Sequence, residues 1–152
     1  MAGDLDLVRR LVGADHGLAV VSTTREDGSV HSSLVNAGVL DADPTGGGPV
    51  VAAVIRGGAR KLAHMRRTGN ATLTFRVGWQ WVSVDGPVRI IGPDDPAADI
   101  SADQLRQLLR DVFTAAGGTH DDWAEYDRVM AAERRAVVLV TPRRVISNAP
   151  QN

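Results

Sequence analysis

Apolar residues recur along this chain in two periods, and the switches between them mark the elements. In DLDLVRRLVGA (4–14), Leu5, Val8, Leu11 and Val12 fall at helical spacing, which predicts a short amphipathic helix. GLAVVSTT (17–24) reads as a buried strand. Asp27-Gly28 is a hairpin signal, and VHSSLVNAGVL (30–40) is the return strand. DADPTGGG (41–48) is a turn cluster. PVVAAVI (49–55) is another apolar strand, with Pro at its start, where it is tolerated. A helix is predicted from about 59 to 68, with Gly69 as its C-terminal cap.

ATLTFRV (71–77) alternates like a strand. WQWVSVDGPVRII (79–91) predicts a long strand interrupted at Gly86-Pro87 by a bulge. Its alternation turns Val82, Val84, Val88 and Ile90 to the core and Trp79, Trp81 and Ser83 to the other face. The segment 92–99 is a loop. Ser101 opens a helix with Gln104 completing a capping box, and Gly117-Gly118 stops it. Its apolar face holds Leu105, Leu108, Leu109, Val112 and Phe113. Thr119 with Asp122 is a second N-cap signature, opening a helix to about Arg134, and AVVLVTPRRVI (136–146) is the last strand. Six strands joined mainly by hairpins make a mostly antiparallel sheet, and closing it into a barrel removes its exposed edges. The fold class is therefore mainly β, a barrel with flanking helices, in one domain over residues 1–152.

Composition narrows the function. A net charge of −1 argues against nucleic acid as a partner. No apolar run is long enough to span a bilayer, and the N-terminal segment does not read as a signal peptide, so a cytoplasmic location is expected. Zero cysteines exclude disulfides, thiolate metal sites and cysteine nucleophiles. The four histidines, His16, His31, His64 and His120, show no metal-ligand spacing, so no metal is expected. In His120-Asp121-Asp122 the acids suit the positive start of a helix better than a metal. Motifs for hydrolases, zinc proteases, P-loops and dinucleotide folds are absent.

The segment RGGARKLAHMRRTGN (56–70) stands out, with five basic residues and the only lysine, Lys61. Arg60 and Lys61 fall in the first turn of a helix, where positive charge costs roughly 0.3–1 kcal/mol per exposed group. Arg56 ends the preceding strand, within reach of the same point. A bound phosphate or carboxylate reverses that penalty, because the free amides of the helix start favour an anion. Gly57 and Gly58 would let the backbone approach such a ligand. Arg66 and Arg67 lie nearly two turns later and serve another face. Spacing alone fits a solvated basic surface as well. Trp79 and Trp81 mark an interface or a ring-binding wall, unless the helix at 101–117 covers them.

Taken together, VVSTTREDGSVHSS, RKLAHMRRTGNATL, WQWVSVDGPVRI, HDDWAEYDRVMAAERRAVV and TPRRVIS resemble the split β-barrel flavin and deazaflavin oxidoreductases related to pyridoxamine 5′-phosphate oxidase. More narrowly, the chain resembles their actinobacterial branch, which uses coenzyme F420. The resemblance implies a homodimer with cofactor sites between subunits and a small-molecule substrate. It implies that Lys61, with Arg60 or Arg56, holds the cofactor phosphate, and that His64 lies one turn on. Relatives often carry arginine two residues before the lysine; here that residue is Ala59. Ser33 would line the tricyclic ring, and Trp79 and Gln80 of the partner would close over it. The implied reaction is hydride transfer from reduced F420 to a conjugated substrate, with His31, His64 or solvent supplying a proton. FMN on the same barrel and a non-catalytic F420, flavin or haem carrier are the alternatives.

Overall fold

The structure, a computed structural model, describes residues 2–150. Its elements follow in the order α1 (Ala2–Ala14), β1 (Leu18–Thr24), β2 (Val30–Leu40), β3 (Val50–Ile55), α2 (Arg60–Thr68), β4 (Asn70–Val77), β5 (Gln80–Ile91), α3 (Ala102–Ala115), α4 (Trp123–Ala132), β6 (Ala136–Val140) and β7 (Arg144–Ser147). Every strand pairing is antiparallel. Going round, β1, β2, β3, β6, β5 and β4 pair in turn, and β4 pairs back to β1, closing a six-stranded barrel. No helix among the described residues is long and apolar enough to cross a membrane.

Two expectations change at one place. The last strand is two, because the chain bends at Thr141-Pro142 between β6 and β7. No bulge interrupts β5, whose pairing with β4 runs in register from Gln80 to Pro87. Instead, Gly86-Pro87 is where β5 exchanges one neighbour for another. Before it β5 pairs with β7, and after it with β6. The bend between them lies against Gly86, where a Cβ would collide with the Thr141 carbonyl. Glycine is thus required there by close backbone approach.

Two apolar layers explain the patterning. The barrel interior packs Val21, Leu73, Phe75, Val82, Val84 and Val138 with residues of α1 and with Leu62 and Met65 of α2. Outside the barrel, Val50, Ala52, Val137 and Leu139 pack under Leu108, Leu109 and Val112 of α3 and Tyr126 of α4. Strands β3 and β6 are therefore covered on both faces, which is why they read as unbroken apolar runs. Strand β1, expected to be buried, alternates instead, because it is covered on one face only and leaves Leu18 and Val20 exposed.

The ends of the helices follow local chemistry. Ser101 Oγ accepts from the Gln104 amide at 3.1 Å, while Gln104 Oε1 accepts from the Ser101 amide at 2.7 Å. Gly69 closes α2 in the left-handed region at φ 73°. The cap of α4 is Asp122 rather than Thr119; its carboxylate accepts from the Glu125 amide at 3.1 Å. The loop 92–99 is fastened by its acids: Asp94 to Arg134, Asp95 to Arg66 at 2.6 Å, and Asp99 to Arg89 at 2.9 Å.

Candidate functional site

A cavity of about 590 Å³ opens where β2, the end of β3 and the start of α2 face the α3–α4 hairpin. That volume suits a medium-sized organic ligand. Its walls differ in chemistry. Arg56, Lys61 and Arg135 bring three cations to its lining. Phe113, His120, Tyr126, Val112, Val129 and Met130 supply an aromatic and apolar wall. Leu34, Asn36 and Val54 come from the strands, and Glu125 is the one carboxylate on the lining among the described residues.

The cations meet because of strand register. Ile55 and Ala136 are the last pair across β3 and β6, so Arg56 and Arg135 leave the ladder at the same end and both reach the lining. Like charges gathered on one lining repel. Lys61 is half-buried in the same lining, and burial, then Arg135, holds its ammonium below the ordinary lysine pKa. An anion in the cavity would relieve both effects.

The α3–α4 hairpin is braced to form the opposite wall. Arg110 makes a forked pair with Asp127 at 3.0 and 2.5 Å, and its guanidinium lies 5.3 Å from the Trp123 ring centre. Tyr126 donates to the Leu109 carbonyl at 2.9 Å, and burial pushes its phenol pKa up to about 12, so it stays protonated. Phe113, His120, Trp123 and Tyr126 pack with ring centres 5.0–6.3 Å apart. His120 Nδ1 accepts from the Asp122 amide at 3.0 Å, so the proton of the neutral ring sits on Nε2. Of the two acids after His120, Asp122 serves the helix start as its cap.

The sequence fits the model of the pyridoxamine 5′-phosphate oxidase family over residues 8–148. The chain belongs to that family. Its six-stranded closed barrel is the family's split barrel, with one added strand and four helices. No curated protein sequence matches it. Solved structures share the fold at low identity. A candidate 5-nitroimidazole antibiotic resistance protein from Bacteroides thetaiotaomicron superposes with a TM-score of 0.67 at 14% identity, over 93% of this chain and 81% of that one. An F420 reductase gives 0.61 at 12% identity, over 91% and 94% of the two chains. A heme binding protein from Mycobacterium smegmatis gives 0.61 at 13%, over 95% of this chain and 53% of that one.

Within this split barrel the residues singled out from sequence separate into three places. Arg56 and Lys61 line the cavity. Arg60, next to Lys61, is exposed and is not on the lining. A second group lies near the start of β2, where His64 Nδ1 bonds Thr23 Oγ1 at 2.9 Å and its ring meets that of His31 edge-on at 5.4 Å. Ser33 Oγ and His31 Nδ1 are buried there without a protein partner. Burial lowers the His31 pKa, and Arg25, His64, Lys61 and Arg60 add repulsion. Trp79 and Gln80 form the third place, an exposed turn between β4 and β5, with Trp79 92% exposed. Helix α3 leaves Trp81 uncovered, since it packs chiefly on β2, β3 and β6.

Two features were missed or misread in the sequence. Arg135 carried no local signal, being one of two adjacent arginines just after α4. Gly57 serves packing rather than ligand approach: a Cβ there would collide with the Arg134 carbonyl, and its amide donates to the Glu133 carbonyl at 3.1 Å. Arg66 and Arg67 serve another face, as expected, Arg66 pairing with Asp95 and Arg67 donating to the Thr24 carbonyl.

Proposed function

We propose that the protein is an oxidoreductase that binds reduced F420 and reduces a conjugated small-molecule substrate. The observation that carries this reading is one cavity joining three cations to an aromatic and apolar wall. That donor set fits a planar ring system bearing an anionic tail. Such a group, when bound, supplies hydride transfer to a polarised double bond. The chain's own part is to bind, orient and exclude water. Arg56 and Lys61 hold the anionic tail, while Leu34, Val54 and Val112 offer apolar surface to rings. Ser33 Oγ and His31 Nδ1, buried near the start of β2 and off this lining, have no protein partner within the chain. His120, with its proton on Nε2, can donate a hydrogen bond to a substrate oxygen.

A second copy of the chain completes the proposed site. Leu34, Val20, Thr74, Ser83 and Ile146 succeed one another across β2, β1, β4, β5 and β7 as directly paired neighbours. Leu34 is 67% exposed and Ile146 48%, and Leu18, Val20 and Val30 add further exposed apolar surface. Leu34 also lines the cavity, so a subunit on this face would border the site.

FMN on the same barrel is the second reading, favoured by the convergence of three cations, which suits a compact phosphate. Titration distinguishes the two. The protein as purified is expected to be colourless and to change F420 fluorescence at micromolar concentration. Lys61→Ala is expected to weaken that binding about ten- to a hundredfold, the worth of a charged hydrogen bond. A protein that purifies yellow with stoichiometric FMN and leaves F420 fluorescence unchanged would overturn the F420 reading.

A further inference from the structure

We propose that Arg135, immediately before β6, is a phosphate ligand, and that it forms with Arg56 and Lys61 a three-cation seat for the phosphate ester of the bound cofactor. This rests on the reading of the cavity as a cofactor site and adds a residue from a distant part of the chain.

The turn before β6 is built to place this side chain. Arg134 adopts a left-handed backbone at φ 51°, a strained choice for a residue other than glycine. Its carbonyl lies against Gly57, where no Cβ fits, and the Gly57 amide donates to the Glu133 carbonyl at 3.1 Å. The α4–β6 turn is thereby docked onto the β3–α2 turn. Arg135 emerges at the same end of the ladder as Arg56, on the lining that also holds Lys61.

An ion pair within the turn does not consume Arg135. Glu133 binds its Nε at 2.9 Å, and among the described residues no acceptor reaches its two terminal nitrogens. A guanidinium held at Nε presents those nitrogens in a fixed orientation, which suits forked recognition of phosphate oxygens. Ala59 lies on the same lining and contributes only a methyl group there. Glu125 sits on α4, on the hairpin wall of the cavity.

Ligand pairs that differ in phosphate test the seat. FMN is compared with riboflavin, and F420 with its deazaflavin core lacking the phosphate tail, by fluorescence titration of the full chain. Arg135→Gln is expected to weaken FMN or F420 at least tenfold and to leave riboflavin or the bare core within twofold. Arg135→Lys, which keeps the charge, is expected to recover part of the loss, and it serves if the glutamine variant fails to fold. Ala59→Arg placed on the Arg135→Gln background is expected to restore affinity for the phosphate-bearing ligand. A folded Arg135→Gln protein that binds FMN and F420 like the wild type overturns the proposal while leaving the cofactor reading intact. Equal losses for both members of a pair overturn it too, since they signify a structural role. Wild-type protein that binds neither phosphate-bearing compound removes both the cofactor reading and the seat.

Discussion

Lys61 shows how a residue's position sets its chemistry. Its ammonium is disfavoured by burial and by Arg135, so its pKa in the free protein lies below the ordinary lysine value. An anion prefers the charged form and raises that pKa again. Binding of a phosphate-bearing cofactor therefore weakens as pH rises through the free-protein pKa, and the loss begins below the usual value of about 10.4. Titrations in alkaline buffers are expected to show this decline in the wild type. Lys61→Arg, which stays charged, should flatten it. The lysine was legible in the sequence as a cation in the first turn of a helix, where it lacks an acidic neighbour. Arg135 was not, because nothing local links it to Lys61. Arg60 looked equivalent to Lys61 from spacing, yet the turn of the helix carries it to the exposed side.

At the scale of elements, the paired ends of β3 and β6 organise the cavity. Their adjoining turns interlock through Gly57 and the Glu133–Arg135 segment. Gly57→Ala is expected to destabilise the protein by about 1–3 kcal/mol, the usual cost of overpacking. Thermal unfolding measures that cost. Because the displaced turn carries Arg135, cofactor affinity should fall in the same variant. Gly58 differs: its φ of +82° is required by the turn, and open space surrounds it. Sequence reading assigned both glycines to ligand approach, since a glycine's reason for being there is invisible until its neighbours are known. The capping box at Ser101, by contrast, is complete within four residues and was read correctly.

At the scale of the molecule, the barrel leaves one outer face bare while α3 and α4 cover another. The bare face, with Val20 and Ile146 in one row, is the one proposed to pair with a second copy. Sedimentation equilibrium is expected to give a dimer for the wild type and a monomer for Val20→Asp with Ile146→Asp, neither of which lines the cavity. A monomeric wild type would rule out the paired arrangement. Most elements, the barrel class and the basic start of α2 were legible in the sequence alone. These rest on periods of two and 3.6 and on caps, all of which act over a few residues. Packing across the chain was needed to show that β5 changes partners at Gly86, that Arg56 and Arg135 share one lining, and that His64 bonds Thr23 rather than lining the cavity. Each of those depends on register between strands or packing between segments distant in the chain, and such long-range contacts leave no periodic trace in either segment.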